Sequence, residues 1–289
     1  MADDVEEFAP VTRLDPARVT ARLAAEAGVE LAVDGHSTAG QVGAAYVRWP
    51  DGHRSVLTYA PGPALALCQA TATNLHYARR AGVPAPEYEL VVDLGDEVAL
   101  VQQLLPGSPP EQVDVDLIEQ MLTINHRMYR ILAGAADIAT VPLHLTESGP
   151  GFCLHEPLQA HNDRTRRLLG WVHEVGASVP PMMAGDDLVH VDYHPGNVLV
   201  HDGVISGVVD WVGAARGDAR FAIVVMRFAG GLSDQAIARI DRALEEELTE
   251  EELRPYWAAL SLRLVDWSIR HFTDADTERW LDLAESRVG

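Results

Sequence analysis

The sequence predicts an α+β chain of two lobes: an N-terminal antiparallel sheet of five strands with one helix, then a larger, mostly helical C-terminal lobe. Three observations predict it. Short β-patterned runs fill residues 29–104, Pro106-Gly107 breaks that pattern, and helical spacing of apolar residues dominates the remainder of the chain. The 289 residues, 47% of them apolar, suffice for such a pair of lobes, divided as 1–104 and 105–289.

In chain order, residues 16–28 read as a short helix stopped by Gly28. Strands are expected at Val29–Val33, Val42–Trp49 and Ser55–Tyr59, the last two joined through the turn Pro50-Asp51-Gly52-His53. Leu65–Ala81 is a helix ended by Gly82-Val83-Pro84, and Tyr88–Asp93 and Glu97–Leu104 are strands around Leu94-Gly95-Asp96. Past the Gln102–Gly107 boundary, Val115–Leu132 and Leu158–Val175 have helical periodicity. Short strands are expected at Asp187–Val191, Val198–His201 and Val204–Val209, with Asp202-Gly203 as a hairpin turn. Residues 219–229, 232–247, 249–271 and 274–287 close the chain as helices, and the acidic run Glu245–Glu252 reads as a solvated helix edge.

Composition removes several classes of function. A net charge of −21 argues against nucleic-acid binding, which needs basic patches to neutralise phosphates, so no nucleic-acid partner is expected. It is compatible with a cationic small molecule drawn to an acidic cleft. No apolar run reaches about 18 residues, so no membrane span or membrane partner is expected. The first residues, Met-Ala-Asp-Asp-Val-Glu-Glu, are acidic where a leader would be basic, and Cys68 and Cys153 are too few for a disulfide scaffold. The expected location is the cytoplasm.

The chemistry concentrates in residues 190–210. His190-Val191-Asp192-Tyr193-His194-Pro195-Gly196-Asn197 fits H-x-D-x-x-x-x-N, and Val208-Val209-Asp210-Trp211 places a second carboxylate at the end of a β-patterned hairpin. Phosphoryl transfer needs a carboxylate near the attacking hydroxyl, an amide oxygen on a metal, and a carboxylate bridging metal to phosphates. Asp192, Asn197 and Asp210 have the types and order for those tasks, with Gly196 allowing a tight path to Asn197.

This window resembles the aminoglycoside phosphotransferase family, small-molecule kinases with a protein-kinase-like fold, and the resemblance covers roughly residues 30–270. It implies a bilobal kinase-like architecture, ATP or GTP as phosphoryl donor, and Mg²⁺. It implies Asp192 as catalytic base, Asn197 and Asp210 as metal ligands, and His190 orienting the loop through backbone hydrogen bonds. His194 belongs to the same loop. Asp218 in Gly217-Asp218-Ala219 would cap a helix or fix that loop, although Ala219 stands where proline is usual. Asp34–Gly40 looks like the phosphate-covering loop, with Gly35, Ser37 and Thr38 contacting nucleotide, and Thr58, Gln103 and Leu105 complete the expected nucleotide contacts.

One departure is large. All 22 basic residues are arginine, so the strand lysine that such kinases pair with a helix glutamate is missing. Thr58 falls at the lysine site and Thr71 near the glutamate site. Arg54 would be about 13 Å from Thr58 along the strand, and Arg79 about 12 Å from Thr71 along the helix. Neither is an obvious substitute. The resemblance implies phosphorylation of a small-molecule hydroxyl, with an antibiotic such as an aminoglycoside the leading class. A metabolic amino alcohol or sugar, or a binding protein without turnover, are the alternatives.

Overall fold

Asp15, Gly28 and the arginines between them set the first element of the computed structural model, which describes residues 12–37, 42–62 and 64–288. Helix α1 (Pro16–Ala27) is capped by the Asp15 carboxylate, which accepts the Arg18 N–H, and ends at Gly28 in the left-handed region (φ 66°). Five strands come next: β1 (Ala32–Ser37), β2 (Ala44–Arg48), β3 (Arg54–Pro61) and, after helix α2 (Leu65–Arg80), β4 (Tyr88–Asp93) and β5 (Glu97–Gln103). They form one antiparallel sheet in the order β1-β2-β3-β5-β4.

Alternation along β5 assigns the two faces. Ala99 and Val101 pack with Val19 and Leu23 of α1, whereas Val98 and Leu100 pack with Cys68 of α2. Arg18 and Arg22 tie α1 to the sheet through the nearly buried Glu97.

The first strand begins later than expected. Val29 and Leu31 turn inward against the α1 cluster, and the Val29 N–H bonds the Leu23 carbonyl, so pairing starts only at Ala32. Gly35 and Ser37 therefore lie in β1, paired with Tyr46 and Ala44, rather than in a loop. Thr38 lies outside the described residues.

Two helical expectations also change. The first helix of the second lobe, α3 (Val115–His126), ends six residues early, because residues 127–134 turn and the Arg130 N–H bonds the Asp187 carboxylate at 2.7 Å. The run at 158–175 is two helices, α4 (His155–His161) and α5 (Asp163–Gly176). Asn162 between them is extended (φ −156°) and makes a reciprocal capping box with Thr165.

Then come β6 (Asp187–Val189), β7 (Val198–His201), β8 (Val204–Val208) and β9 (Ala215–Gly217). β7 and β8 are a hairpin, and β6 pairs with β9, a strand too short for any periodicity to announce. Helices α6 (Phe221–Arg227), α7 (Asp234–Glu247), α8 (Glu250–His271) and α9 (Asp274–Glu285) complete the lobe. The acidic run does end-capping work: Glu252 shares a capping box with Thr249, and Glu247 accepts the Tyr129 hydroxyl.

Hydrogen bonds, two of them close to the hairpin, join the lobes. The Val208 N–H donates to the Pro84 carbonyl at 2.7 Å, and Asn74 of α2 reaches the Ala214 carbonyl at 2.6 Å. Leu105 lies on Gly207, where a Cβ would stand only 2.9 Å from it. Among the described residues no helix is long and apolar enough to cross a membrane.

Candidate active site

The β7–β8 hairpin explains why residues 13 apart meet. Asp202 and Gly203 at its tip both have positive φ (50° and 76°), the two-residue turn that matches strand twist. Val198 pairs with Val208, and the Val209 N–H bonds the Asn197 carbonyl at 2.9 Å, so Asn197 and Asp210 leave the open end side by side. Asp210 is left-handed (φ 61°), a conformation aspartate tolerates better than most residues.

β6 delivers the loop from the other side. His190 is 1% exposed, with its ring against Trp211 at 4.6 Å. Its Nε2 donates to the Val209 carbonyl at 3.0 Å, and its Nδ1 accepts the Asp192 N–H at 3.3 Å. Both are hydrogen bonds to the backbone. They lash the start of the loop to the residue before Asp210. Burial lowers the His190 pKa to about 4, which keeps the ring neutral.

Pro195–Asn197 make one tight turn. His194 Nδ1 accepts the Gly196 N–H at 3.0 Å, which leaves Nε2 facing Asp192 Oδ2 at 3.5 Å. Gly196 is required by space rather than by φ: a Cβ there would sit 2.8 Å from the His194 ring. Asn197 Nδ2 donates to the Asp192 carbonyl at 2.9 Å and to its Oδ2 at 3.1 Å. The amide oxygen of Asn197 consequently points away from Asp192, available to a hard cation.

The two carboxylates are driven apart electrostatically. Burial acts to raise Asp192, but the His194 hydrogen bond and the Arg263 and His194 charges outweigh it and hold the carboxyl well below its ordinary range. Asp210 moves the other way, raised by surrounding protein and then by the Asp192 charge. Its side chain remains open to the cleft, and it accepts no hydrogen bond from a described residue. One carboxylate is thus fixed and ionised, the other uncommitted, which suits an oriented hydrogen-bond acceptor and a metal ligand respectively.

Arg263 of α8 belongs to this site although no sequence motif marks it. Its Nη1 donates to the Val191 carbonyl at 2.7 Å and its Nη2 to Asp192 Oδ1 at 3.1 Å.

Other expected site residues fall in varied places. Thr58 pairs with Leu100, on the α2 side of the sheet. Thr71 is buried, its hydroxyl on the Leu67 carbonyl at 2.9 Å. Arg54 is committed to Asp34 at 3.4 Å, and Arg79 to Glu87. Gln103 ends β5 with its N–H on the Glu87 carbonyl at 2.8 Å. Asp218 lies apart: Gly217 pairs with Asp187, at the end of the β6–β9 ladder away from the catalytic loop. Its carboxylate takes Arg220 at 2.6 Å and the Tyr256 hydroxyl at 2.8 Å, fixing the start of α6 to α8 rather than the loop. A cavity of about 420 Å³ lined by Tyr129, Met183, Asp218 and Tyr256 opens at that remote end, and none of the cleft residues line it.

The residues present fit magnesium. Asn197 and Asp210 offer two hard oxygens, and among the described residues no cluster of three His, Cys, Asp or Glu competes as a metal site. Such a pair fits a cation that arrives with phosphates.

No curated protein matches this chain. Solved structures do. An aminoglycoside phosphotransferase, APH(4)-Ia, in a thermostable mutant form without ligand, is 16% identical with a TM-score of 0.71, covering 93% of this chain and 98% of that one. A fructosamine-3-kinase, assigned as such provisionally, from Thermobifida fusca is 19% identical, with a TM-score of 0.60 over 93% of this chain and 98% of its own. The macrolide 2′-phosphotransferase MphH of Brachybacterium faecium is 19% identical, with a TM-score of 0.58 over 94% and 98%. A further APH(4)-Ia mutant, 17% identical with a TM-score of 0.68 over 93% and 97%, holds AMP-PNP and hygromycin B. At these identities the likeness speaks for the fold, a kinase-like two-lobed one. The profile of the phosphotransferase enzyme family matches residues 39–261, and the chain belongs to that family.

Proposed function

We propose that this chain is a Mg²⁺-dependent kinase that moves the γ-phosphoryl group of ATP or GTP to a hydroxyl of a small molecule. The observation that supports it most is the convergence of Asp192, Asn197 and Asp210 beside the open end of one hairpin, with Asn197 hydrogen-bonded to Asp192 and Asp210 left open. Residues 1–104 would form the nucleotide lobe, with Gly35, Ser37, Thr38, Thr58, Gln103 and Leu105 as its contacts. Residues 105–289 would carry catalysis and the acceptor.

Asp192 orients the acceptor hydroxyl in this scheme. As the acceptor oxygen bonds the γ-phosphorus, the bond to the bridging oxygen of the nucleotide breaks and the hydroxyl proton passes to Asp192. A carboxylate held this acidic is a weak base, so its main service is alignment, with proton transfer late. Magnesium bound by Asn197 and Asp210 would neutralise charge on the phosphates. His190 and His194 keep the loop in register and carry no proton to the acceptor.

An antibiotic acceptor, inactivated by phosphorylation in the cytoplasm, is supported by the fold-level likeness to aminoglycoside and macrolide phosphotransferases. Likeness to fructosamine kinases keeps a metabolic sugar amine in view. The test is a product screen. Protein, Mg²⁺ and ATP or GTP are incubated with aminoglycosides, macrolides, amino alcohols and sugars, and products are weighed for an added phosphoryl group. Asp192→Asn is the control. No phosphorylated product from any acceptor, with nucleotide bound, would favour a binding protein without turnover.

A further inference from the structure

The catalytic-loop carboxylate is gripped from two directions, one of them a helix 71 residues further along the chain. Arg263 sits within α8, whose neighbouring Leu260, Leu262 and Val265 are all buried, so its backbone is immobile relative to the core. Guanidinium is a rigid planar fork, unlike an ammonium on a flexible stem. Here one arm holds the Val191 carbonyl at 2.7 Å and the other holds Asp192 Oδ1 at 3.1 Å. Oδ2 is taken by Asn197 Nδ2 at 3.1 Å, with His194 Nε2 at 3.5 Å. Rotation of the carboxylate breaks a charge-assisted hydrogen bond whichever way it turns. Arg54 and Arg79, the candidate substitutes for the expected strand lysine, are spent on Asp34 and Glu87.

We propose that Arg263 is a positioning residue for phosphoryl transfer. It locks the Asp192 carboxylate for the acceptor hydroxyl, from a helix of the C-terminal lobe. This rests on the kinase reading of the cleft. Arg263 acts through Asp192 and makes no demand on nucleotide affinity, so its removal depresses kcat and spares binding.

The experiment is a double-mutant cycle with Arg263→Gln, Arg263→Lys, Asp192→Asn and the Arg263→Gln/Asp192→Asn pair. ADP release from MgATP is followed with the acceptor from the product screen and with water alone, and MgAMP-PNP binding is measured by calorimetry. Arg263→Gln is expected to lower kcat about 100-fold, with the MgATP KM and AMP-PNP affinity within about threefold of wild type. Arg263→Lys should recover about tenfold of that loss, having the charge without the fork. The pair should be no slower than Asp192→Asn alone.

Turnover of Arg263→Gln within about threefold of wild type, or above it, sinks the proposal, as does AMP-PNP affinity falling in step with kcat. Should Arg263→Gln not fold, Arg263→Lys decides: full wild-type turnover there shows that the fork geometry is idle. If Asp192→Asn is as fast as wild type, the kinase reading itself fails, an outcome separate from any result at Arg263.

Discussion

The floor and the roof of the cleft are built on opposite principles. On the floor, the side chains of the loop are tied down: His190 holds Val209 and the Asp192 N–H, His194 holds Gly196, and Asn197 and Arg263 hold Asp192. Asp210 is left without a hydrogen bond from a described residue, and the Asn197 amide oxygen stays open beside it. On the roof, the two positions where a Lys–Glu pair is expected are Thr58 and Thr71, the latter buried and bonded to its own helix. The contrast teaches that order and charge need not come from the same lobe. One face of a cleft can be rigid and densely hydrogen-bonded while the face opposite is plain.

Removing charge from the floor should have the largest effect. Asp192→Asn is expected to lower turnover on the order of 10³-fold with folding intact, read as product formation and a thermal melt. Asp210→Asn should be as damaging to turnover, yet raise the melting temperature of the metal-free protein slightly. Its carboxylate is held above its ordinary pKa by the protein around it and by Asp192, so losing the charge relieves a repulsion. A fall in melting temperature would mean that Asp210 is a structural cap and not a metal ligand in waiting.

The roof invites the converse experiment, adding charge. Thr71 is 1% exposed, so Thr71→Glu buries an unpaired carboxylate and should cost about 3–5 kcal/mol in urea unfolding. Thr58→Lys should be milder, since Thr58 is only half buried and an ammonium can reach solvent. Combined, the two should be more stable than Thr71→Glu alone, because each supplies the other's counter-ion. Simple additivity would show that α2 does not bring these two positions within reach of each other.

How much of this was legible depends on whether a signal is local. The hairpin tip Asp202-Gly203 and the loop His190–Asn197 are short-range patterns, and both fall where the residues predicted. Asn162 with Thr165 three residues on was a readable helix start, hidden by apolar periodicity that runs straight through it. β9 could not be read, since three residues carry no period and its partner lies some 28 positions upstream. Arg263 had one faint signal. It is the lone charge in the apolar stretch Ala258–Val265, and a charge there needs a partner. Which partner was a tertiary fact.

A last predicted effect concerns pH, and it belongs to the floor. His190 titrates near pH 4 when folded because burial disfavours its charged form, against about 6.5 when unfolded. Between those values the unfolded chain binds the extra proton, so this contribution to stability is complete above pH 6.5 and is lost as pH falls toward 4. The loss should reach about 3 kcal/mol, an order-of-magnitude figure from the size of the shift. Urea unfolding between pH 7 and pH 4.5 measures it, with His190→Gln as the control that removes the titration. Gln at this site should start lower at pH 7, having lost the geometry that bridges Val209 and Asp192, and then show a flatter descent into acid. An equally steep descent in both proteins would assign acid sensitivity to carboxylates elsewhere and leave His190 a packing residue.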